Sequence, residues 1–381
     1  MRVLSQDIIS HLCQYLCKTD VDNLSLTCVQ LYDQTLEVKK RNQYLKITKD
    51  TKEEYIEGFQ RFVVYDGDKL SLLPANATHL AFGHEFNQLV DNKLPSNVTH
   101  LAFGHDFNQS ADKLPSNVTH LTFGFTFNQS VDKLPPNVVH LTFGSDFNQP
   151  VDKLPASVTH LTFGYWFDQS VNKLPANVTH LKFGGNFKQS VDKLPSNVTQ
   201  LTFGYCFNRS VDHLPANVTR LTFGTCFYQS VDKLPANVTH ITFGHEFGQS
   251  VEHLPANVTH ITFGKYFNQS VDKLPTNVTH LTFGDDFDQS VDKLPPNVTH
   301  LTFGTGFNQS VDQLSPNVTH LRFGACFNQS VDRLPPNVIE LRLDKMYDLP
   351  IPQRPGLKVY HGCALVRRQI VVEPRWKKIR K

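Results

Sequence analysis

One phrase recurs along this chain at an almost constant interval. Glycines at Gly83, Gly104, Gly124 and every twentieth residue thereafter to Gly324 mark thirteen copies, one of which reads DKLPSNVTHLTFG at 112–124. A fourteenth copy, Pro335–Asp344, carries Asp344 in place of the glycine, and the first interval is 21 residues, its extra residue lying in QLVDNK between Gln88 and Lys93. So short a unit cannot bury its own apolar side chains, so the copies must stack and share a core. The region is expected to be a solenoid, and length divided by typical domain size is no guide to domain number here.

Within one copy, VTHLTF alternates apolar and polar residues and is rich in β-branched side chains, which predicts a short strand with Leu121 and Phe123 inward and His120 and Thr122 outward. Phe127, Val131 and Leu114 are expected to return to the interior from the rest of the coil. Pro115 forbids helix and holds Leu114 extended. Twenty residues leave little room for a helix on the return side, so one strand per coil is expected, with turns elsewhere.

The pattern V-x-x-L-x-F followed by G-x-x-F-N resembles a short leucine-rich repeat, and the phrase FNQSVDKLPxNVTHLTFG resembles the FNIP repeat family over about residues 71–349. That resemblance implies parallel strands lining one face of a curved solenoid and a role in partner binding, not catalysis. No Gly-rich phosphate loop, HExxH, CxxC or nucleophile arrangement occurs in the sequence. The expected assignment is therefore a non-enzyme with no cofactor, no catalytic residues and no metal.

Several columns repeat for reasons the coil itself supplies. Asn76, Asn97, Asn117, Asn137, Asn177 and onward to Asn337 share one position, broken only by Ser157; they are read as a ladder of amides satisfying turn backbone, against the alternative of carbohydrate or metal ligands. Asp132, Asp152, Asp192, Asp212 and Asp232 adjoin Lys133, Lys153, Lys193 and Lys233, a solvated flank of offsetting charge. The column His79, His100, His120, His140, His160 and His180 is interrupted by Gln200 and Arg220 and resumes from His240 to His320. Stacked solvent-facing rings are its expected state, with partner contact and metal binding as rival readings.

What varies is the pair after each glycine, from His84-Glu85 to Ala325-Cys326. Tyr165, Trp166, Tyr205 and Tyr266 occupy these positions, and Lys182 and Arg220 interrupt otherwise small or uncharged columns on the strand face. These six residues are the candidate target-binding set, since aromatic and Arg side chains commonly anchor interfaces. Neutral variation at an unconstrained turn is the alternative.

The first 45 residues differ in kind. Ile8, Ile9, Leu12 and Leu16 fall on one helical side after Ser5, and Thr19-Asp20-Val21-Asp22 has capping-box spacing before Leu24 and Cys28. The order of anchors, Leu4, Ile8, Ile9, Leu12, Leu16, Val21 and Leu24, resembles an F-box, although Ser5 stands where that family usually has Pro and Tyr32 where it often has Trp. The resemblance implies a helical module at 1–45 that docks a Skp1-like adaptor, while the repeats recruit a protein substrate for ubiquitin transfer. The combination resembles F-box/FNIP proteins of amoeba-infecting viruses and social amoebae. Residues 46–70 are expected to be linker and N-terminal cap, 71–349 the solenoid, and 350–381 a C-terminal cap with a basic tail.

Charge and cysteine content limit the remaining classes. With 37 basic and 35 acidic residues and a net charge of +2, no bulk field recommends nucleic acid or membrane. Seven cysteines without recurring spacing, and a start lacking an uninterrupted apolar run, suggest reduced thiols and a protein of the cytoplasm or nucleus, or of the host cytoplasm if viral. The chain is expected to be a monomer outside its adaptor complex. The expected function is a substrate-recruiting receptor. Its rivals are an interaction or structural solenoid without a ubiquitin role and a carbohydrate-binding or carbohydrate-active β-helix.

Overall fold

A computed structural model describes residues 44–47, 56, 59–64, 67–362 and 364–365. They fall into two compact units, Met1–Gly224 and Thr225–Lys381. The expected helical module, with Leu4, Ile8, Ile9, Leu12, Leu16, Val21 and Leu24, lies outside the described residues, as does the basic tail beyond residue 365. Among the described residues there is no α-helix, and no helix is long and apolar enough to cross a membrane.

In the first unit ten strands pair in parallel in chain order: β1 (Tyr44–Ile47), β2 (Arg61–Val64), β3 (His79–Phe82), β4 (His100–Ala102), β5 (His120–Thr122), β6 (His140–Thr142), β7 (His160–Thr162), β8 (His180–Lys182), β9 (Gln200–Thr202) and β10 (Arg220–Thr222). A short 3₁₀ turn, Gly67–Leu72, joins β2 to β3. In the second unit β11 (His240–Thr242), β12 (His260–Thr262), β13 (His280–Thr282), β14 (His300–Thr302), β15 (His320–Arg322), β16 (Glu340–Leu343) and β17 (Lys358–His361) likewise pair in parallel in chain order, and β18 (Ala364–Leu365) turns back antiparallel on β17. In each unit the sheet extends beyond the recognisable repeats, with β1 and β2 preceding them in the first and β17 and β18 following them in the second.

Each repeat coil contributes one strand, the arrangement expected of leucine-rich repeats rather than of a β-helix with several strand sides. The register places like residues on like, as in His120↔His140 and Leu121↔Leu141. The alternation holds as well: Leu121 and Phe123 are 1% and 2% exposed, while His120 is half-buried and Thr122 exposed. Val118, Phe127 and Val131 complete the buried set of that coil, each worth about 1.5–3 kcal/mol relative to exposure. The phenylalanines form two columns that meet within each coil and run between coils. Phe123 and Phe127 centroids lie 3.7 Å apart, Phe123 and Phe143 5.8 Å, and Phe127 and Phe147 6.1 Å.

The glycine column has its reason in contacts between coils. None of these glycines has positive φ, yet a Cβ on Gly164 would stand 1.7 Å from the carbonyl oxygen of Gly144 in the preceding coil. At the column's glycines from Gly104 to Gly224 and from Gly264 to Gly324 the backbones of successive coils approach too closely for a side chain.

Ladders of side-chain hydrogen bonds tie the coils together. Asn117 Nδ2 donates to the Ser96 carbonyl at 2.9 Å and Asn137 Nδ2 to that of Ser116 at 2.9 Å, so the asparagine column links each turn to the one before it, at the exposed surface rather than inside. Ser157 keeps the link, its hydroxyl lying 2.7 Å from the Pro136 carbonyl. A second ladder runs through the asparagine after Phe, where Asn128 Oδ1 accepts from Asn148 N at 2.9 Å and from Gln149 Nε2 at 3.0 Å. Asp168 fills the same place and accepts from Lys188 N and Gln189 Nε2. The charged flank pairs across one coil, as in Lys153–Asp132 at 2.7 Å and Lys173–Asp152 at 3.2 Å; exposed as these pairs are, solvent screening leaves them little net stabilisation.

The last repeat closes with different residues. Leu343 and Tyr347 replace the two phenylalanines, Tyr347 stacking on Phe327 at 5.9 Å and donating its hydroxyl to the Gln329 carbonyl at 3.2 Å. Burial raises the Tyr347 pKa, which keeps the donor protonated. Arg354 then donates to the Val338 carbonyl at 2.8 Å, tying the segment before β17 to the last repeat.

Candidate protein-interaction surface

The outward face of the sheet carries two columns per unit, one from the first strand position and one from the third. The first-position column in the first unit is histidine from His79 to His180, with neighbouring rings stacked at centroid separations such as 4.1 Å for His79–His100 and 4.4 Å for His120–His140. Thr119 Oγ1 donates to the Thr99 carbonyl at 3.1 Å and also lies 2.9 Å from His120 Nδ1. The hydroxyl thus stands between that carbonyl and the imidazole and holds the ring at Nδ1. The same arrangement recurs at Thr179–His180. The column thus presents a row of stacked imidazoles held at Nδ1 by the preceding threonine, except at His140, which follows Val139.

Burial, and then the neighbouring rings and Arg61, lower the His79 pKa to about 4. His100, His120 and His160 are also lowered, with burial as the largest cause in each. Unfolded histidines titrate near 6.5, so below that pH the unfolded chain binds protons that the folded column refuses. Stability is therefore complete above about pH 6.5, falls as pH drops, and loses this contribution fully below about 4 for His79. Urea midpoints are expected to decline between pH 7.5 and 5.0. The decline should flatten in a His79→Gln/His100→Gln/His120→Gln variant, which copies the native Gln200; an unchanged slope would place the pH sensitivity elsewhere.

Beside this face runs the ridge of variable residues that follow the glycines. Tyr165 and Trp166 are 48% and 51% exposed, packed edge to face at 4.9 Å. The Tyr165 ring lies across the next coil at Gly185, where a Cβ would stand 2.3 Å from its Cε2. Lys182, Tyr205 and Arg220 are exposed in the same unit, on β8, just beyond β9 and on β10 respectively. Neither Lys182 nor Arg220 has a carboxylate partner among the described residues, unlike the flank lysines 133, 153 and 173. Tyr266 is exposed in the second unit with Lys265 Nζ 5.2 Å from its ring centroid, and so belongs to a separate stretch of ridge.

Two exposed aromatics were missed by sequence reasoning. Phe125 stacks on His105 at 4.8 Å, and His105 on His84 at 4.5 Å, an aromatic run along the ridge of the first unit. Its signal was present, since Phe125 stands in the same variable column as Tyr165. Tyr228 is 52% exposed in the second unit; it is the one aromatic in the column of the FN asparagine, which Asp168, Lys188, Gly248 and Asp288 also interrupt, and that could have found it.

A solved structure of a known protein shares this arrangement over most of the chain. The chain is 39% identical to the giant-virus protein CroV588, described as a novel circular LRR protein structure, with a TM-score of 0.75 over 81% of this chain and 50% of that one. It thus spans about half the length of CroV588. YopM from Yersinia enterocolitica WA-314 is 14% identical over 91% of this chain and 95% of its own, with a TM-score of 0.43. The functional domain of InlJ from Listeria monocytogenes is 13% identical over 81% of this chain and 74% of its own, with a TM-score of 0.48. No curated protein matches. The FNIP Repeat profile matches at 69–106, 86–126, 107–146, 127–166, 167–206, 190–226, 229–266 and 267–306, more than half of the chain. With its 20-residue coils and parallel sheet, a scaffold fold for protein interaction, the chain belongs to the FNIP repeat family.

Proposed function

We propose that the chain is a non-catalytic protein-binding receptor that recruits a substrate to an SCF-type ubiquitin ligase. The observation that carries the receptor reading is the contrast between a nearly invariant scaffold and an exposed ridge that changes from coil to coil, with Tyr165, Trp166, Lys182, Tyr205 and Arg220 in one unit. Aromatics with few rotatable bonds and cations lacking carboxylate partners bind at low entropic and desolvation cost. The ubiquitin role rests on the F-box-like order of Leu4, Ile8, Ile9, Leu12, Leu16, Val21 and Leu24, through which a Skp1-like adaptor would dock. Its place of action would be the cytoplasm or nucleus, of a host cell if the chain is viral.

One observation favours a second reading. The sheet continues into β1 and β2, and β1 begins at Tyr44, inside the last residues of the proposed module, which favours a cap on the solenoid and an interaction protein without a ubiquitin role. Calorimetry with a Skp1-like adaptor separates the two. Leu4→Ala/Ile8→Ala should weaken adaptor binding by about 1–3 kcal/mol per buried anchor while the thermal transition of the repeats stays in place. Replacing Tyr165, Trp166 and Tyr205 should leave adaptor binding intact and abolish target capture. Equal adaptor affinity in the double variant would make the N-terminus a cap.

A further inference from the structure

Two successive coils carry the same chemical pair just past the glycine, His84-Glu85 and His105-Asp106. Equal positions of neighbouring coils are brought side by side in this fold, so a His–acid pair written twice in succession becomes a cluster. The His84 and His105 rings stack with centroids 4.5 Å apart and planes 10° from parallel. Asp106 Oδ1 lies 2.5 Å from His105 Nδ1, and Asp106 N donates to the His84 carbonyl at 2.9 Å, which fixes the spacing of the two turns. One nitrogen from each imidazole and a carboxylate oxygen of Asp106 stand within 4.8 Å of one another.

We propose that His84, His105 and Asp106 form a binding site for a divalent transition metal of the zinc type. Two imidazoles and one carboxylate match the borderline softness of that ion, and bonds of about 2.0–2.2 Å require donor separations of about 3.3 Å in a tetrahedral set. Rotation of these exposed and half-exposed side chains closes the wider separations and opens the His105–Asp106 contact. The fourth position is left to water or to a donor from a bound partner. Magnesium, which demands an oxygen octahedron, does not fit the set.

The rest of the molecule supplies two internal contrasts. The strand-face column of His120, His140 and His160 has more imidazoles, but Nδ1 of His120 and His160 is already held at a threonine hydroxyl, and among the described residues the column brings no three ligand atoms within 4.8 Å of one another. In the second unit His245-Glu246 repeats the pair, but the following coil supplies Lys265-Tyr266, so no second imidazole and carboxylate meet it.

Zinc titration of the chelator-treated full chain by calorimetry tests the site. His84→Gln and Asp106→Asn should each weaken one binding event at least tenfold, and His245→Gln should leave that event unchanged. Asp106→Asn keeps the side-chain shape and serves as an independent arm if His84→Gln disturbs the ring stack; metal-free melting curves matching the parent verify folding. Absence of zinc binding in the parent, an isotherm indifferent to both substitutions, or an equal loss with His245→Gln would overturn the proposal. Indifference would assign any zinc taken up to other groups of the chain.

Discussion

Gly164→Ala should destabilise the first unit severely, by roughly 3 kcal/mol or more, at or above the top of the usual range for overpacking. The new methyl would lie 1.7 Å from Gly144 O and 2.3 Å from Gly144 C. Both atoms are backbone, so relief requires parting two coils, and that would strain the strand pairing of β6 with β7 as well as the phenylalanine stack beneath. Gly185→Ala is the matched control. Its methyl would meet Tyr165 Cε2 at 2.3 Å, but that ring is half-exposed and can swing away, so the cost should stay below about 1 kcal/mol. Urea unfolding followed by circular dichroism compares the two, and similar losses would mean that close approach between coils is not what excludes side chains from the column.

Phe187→Ala should be comparably damaging for the opposite reason, leaving a void where the methyl added at Gly164 would create a clash. Phe187 is fully buried, 3.8 Å by ring centroid from Phe183 and 6.1 Å from both Phe167 and Phe207. A cavity there removes contacts from three consecutive coils, and loss of a buried phenylalanine costs about 3–5 kcal/mol. Trp166→Ala removes a larger side chain, yet one that is 51% exposed on the ridge, and should cost less than about 1 kcal/mol. Thermal melting of both variants checks the ranking. Because a repeat array passes strain mainly to its neighbours, the loss should be followed by circular dichroism as well as by aromatic fluorescence. A smaller loss in Phe187→Ala than in Trp166→Ala would contradict the assignment of the interior.

The inward and outward sides of each strand were legible in VTHLTF because side-chain alternation is a property of the chain alone, and Leu121, Phe123, His120 and Thr122 all lie as that alternation requires. The recurring Asn117 and Asn137 could be read as ladder residues for a similar reason. Their acceptors could not, since the carbonyls of Ser96 and Ser116 become neighbours only once coils stack. The glycine was recognised as a marker without its cause, because a separation between backbones in different coils has no trace in a linear pattern. Tyr165, Trp166, Lys182, Tyr205 and Arg220 were found because variation stands out against a constant background. The cluster of His84, His105 and Asp106 was missed because their column was read one coil at a time, whereas its chemistry arises between coils.

The register of like on like has a consequence for how such a chain can change its length. Every inter-coil link in the middle of the first unit joins a residue to its counterpart, or to the counterpart's neighbour, one coil away, so the upper surface of one coil matches the lower surface of almost any other. Excising residues 125–144 would join Gly124 to Ser145 with the strand register, the asparagine ladders and the phenylalanine columns all in phase. What changes is the ridge: Phe125-Thr126 disappears, and Ser145-Asp146 moves next to His105-Asp106. Loss or duplication of sixty nucleotides in frame would thus alter the order of surface residues in whole-coil steps while leaving the interior composition of each remaining coil untouched. A fold built this way can change what it recognises without having to rediscover how to fold.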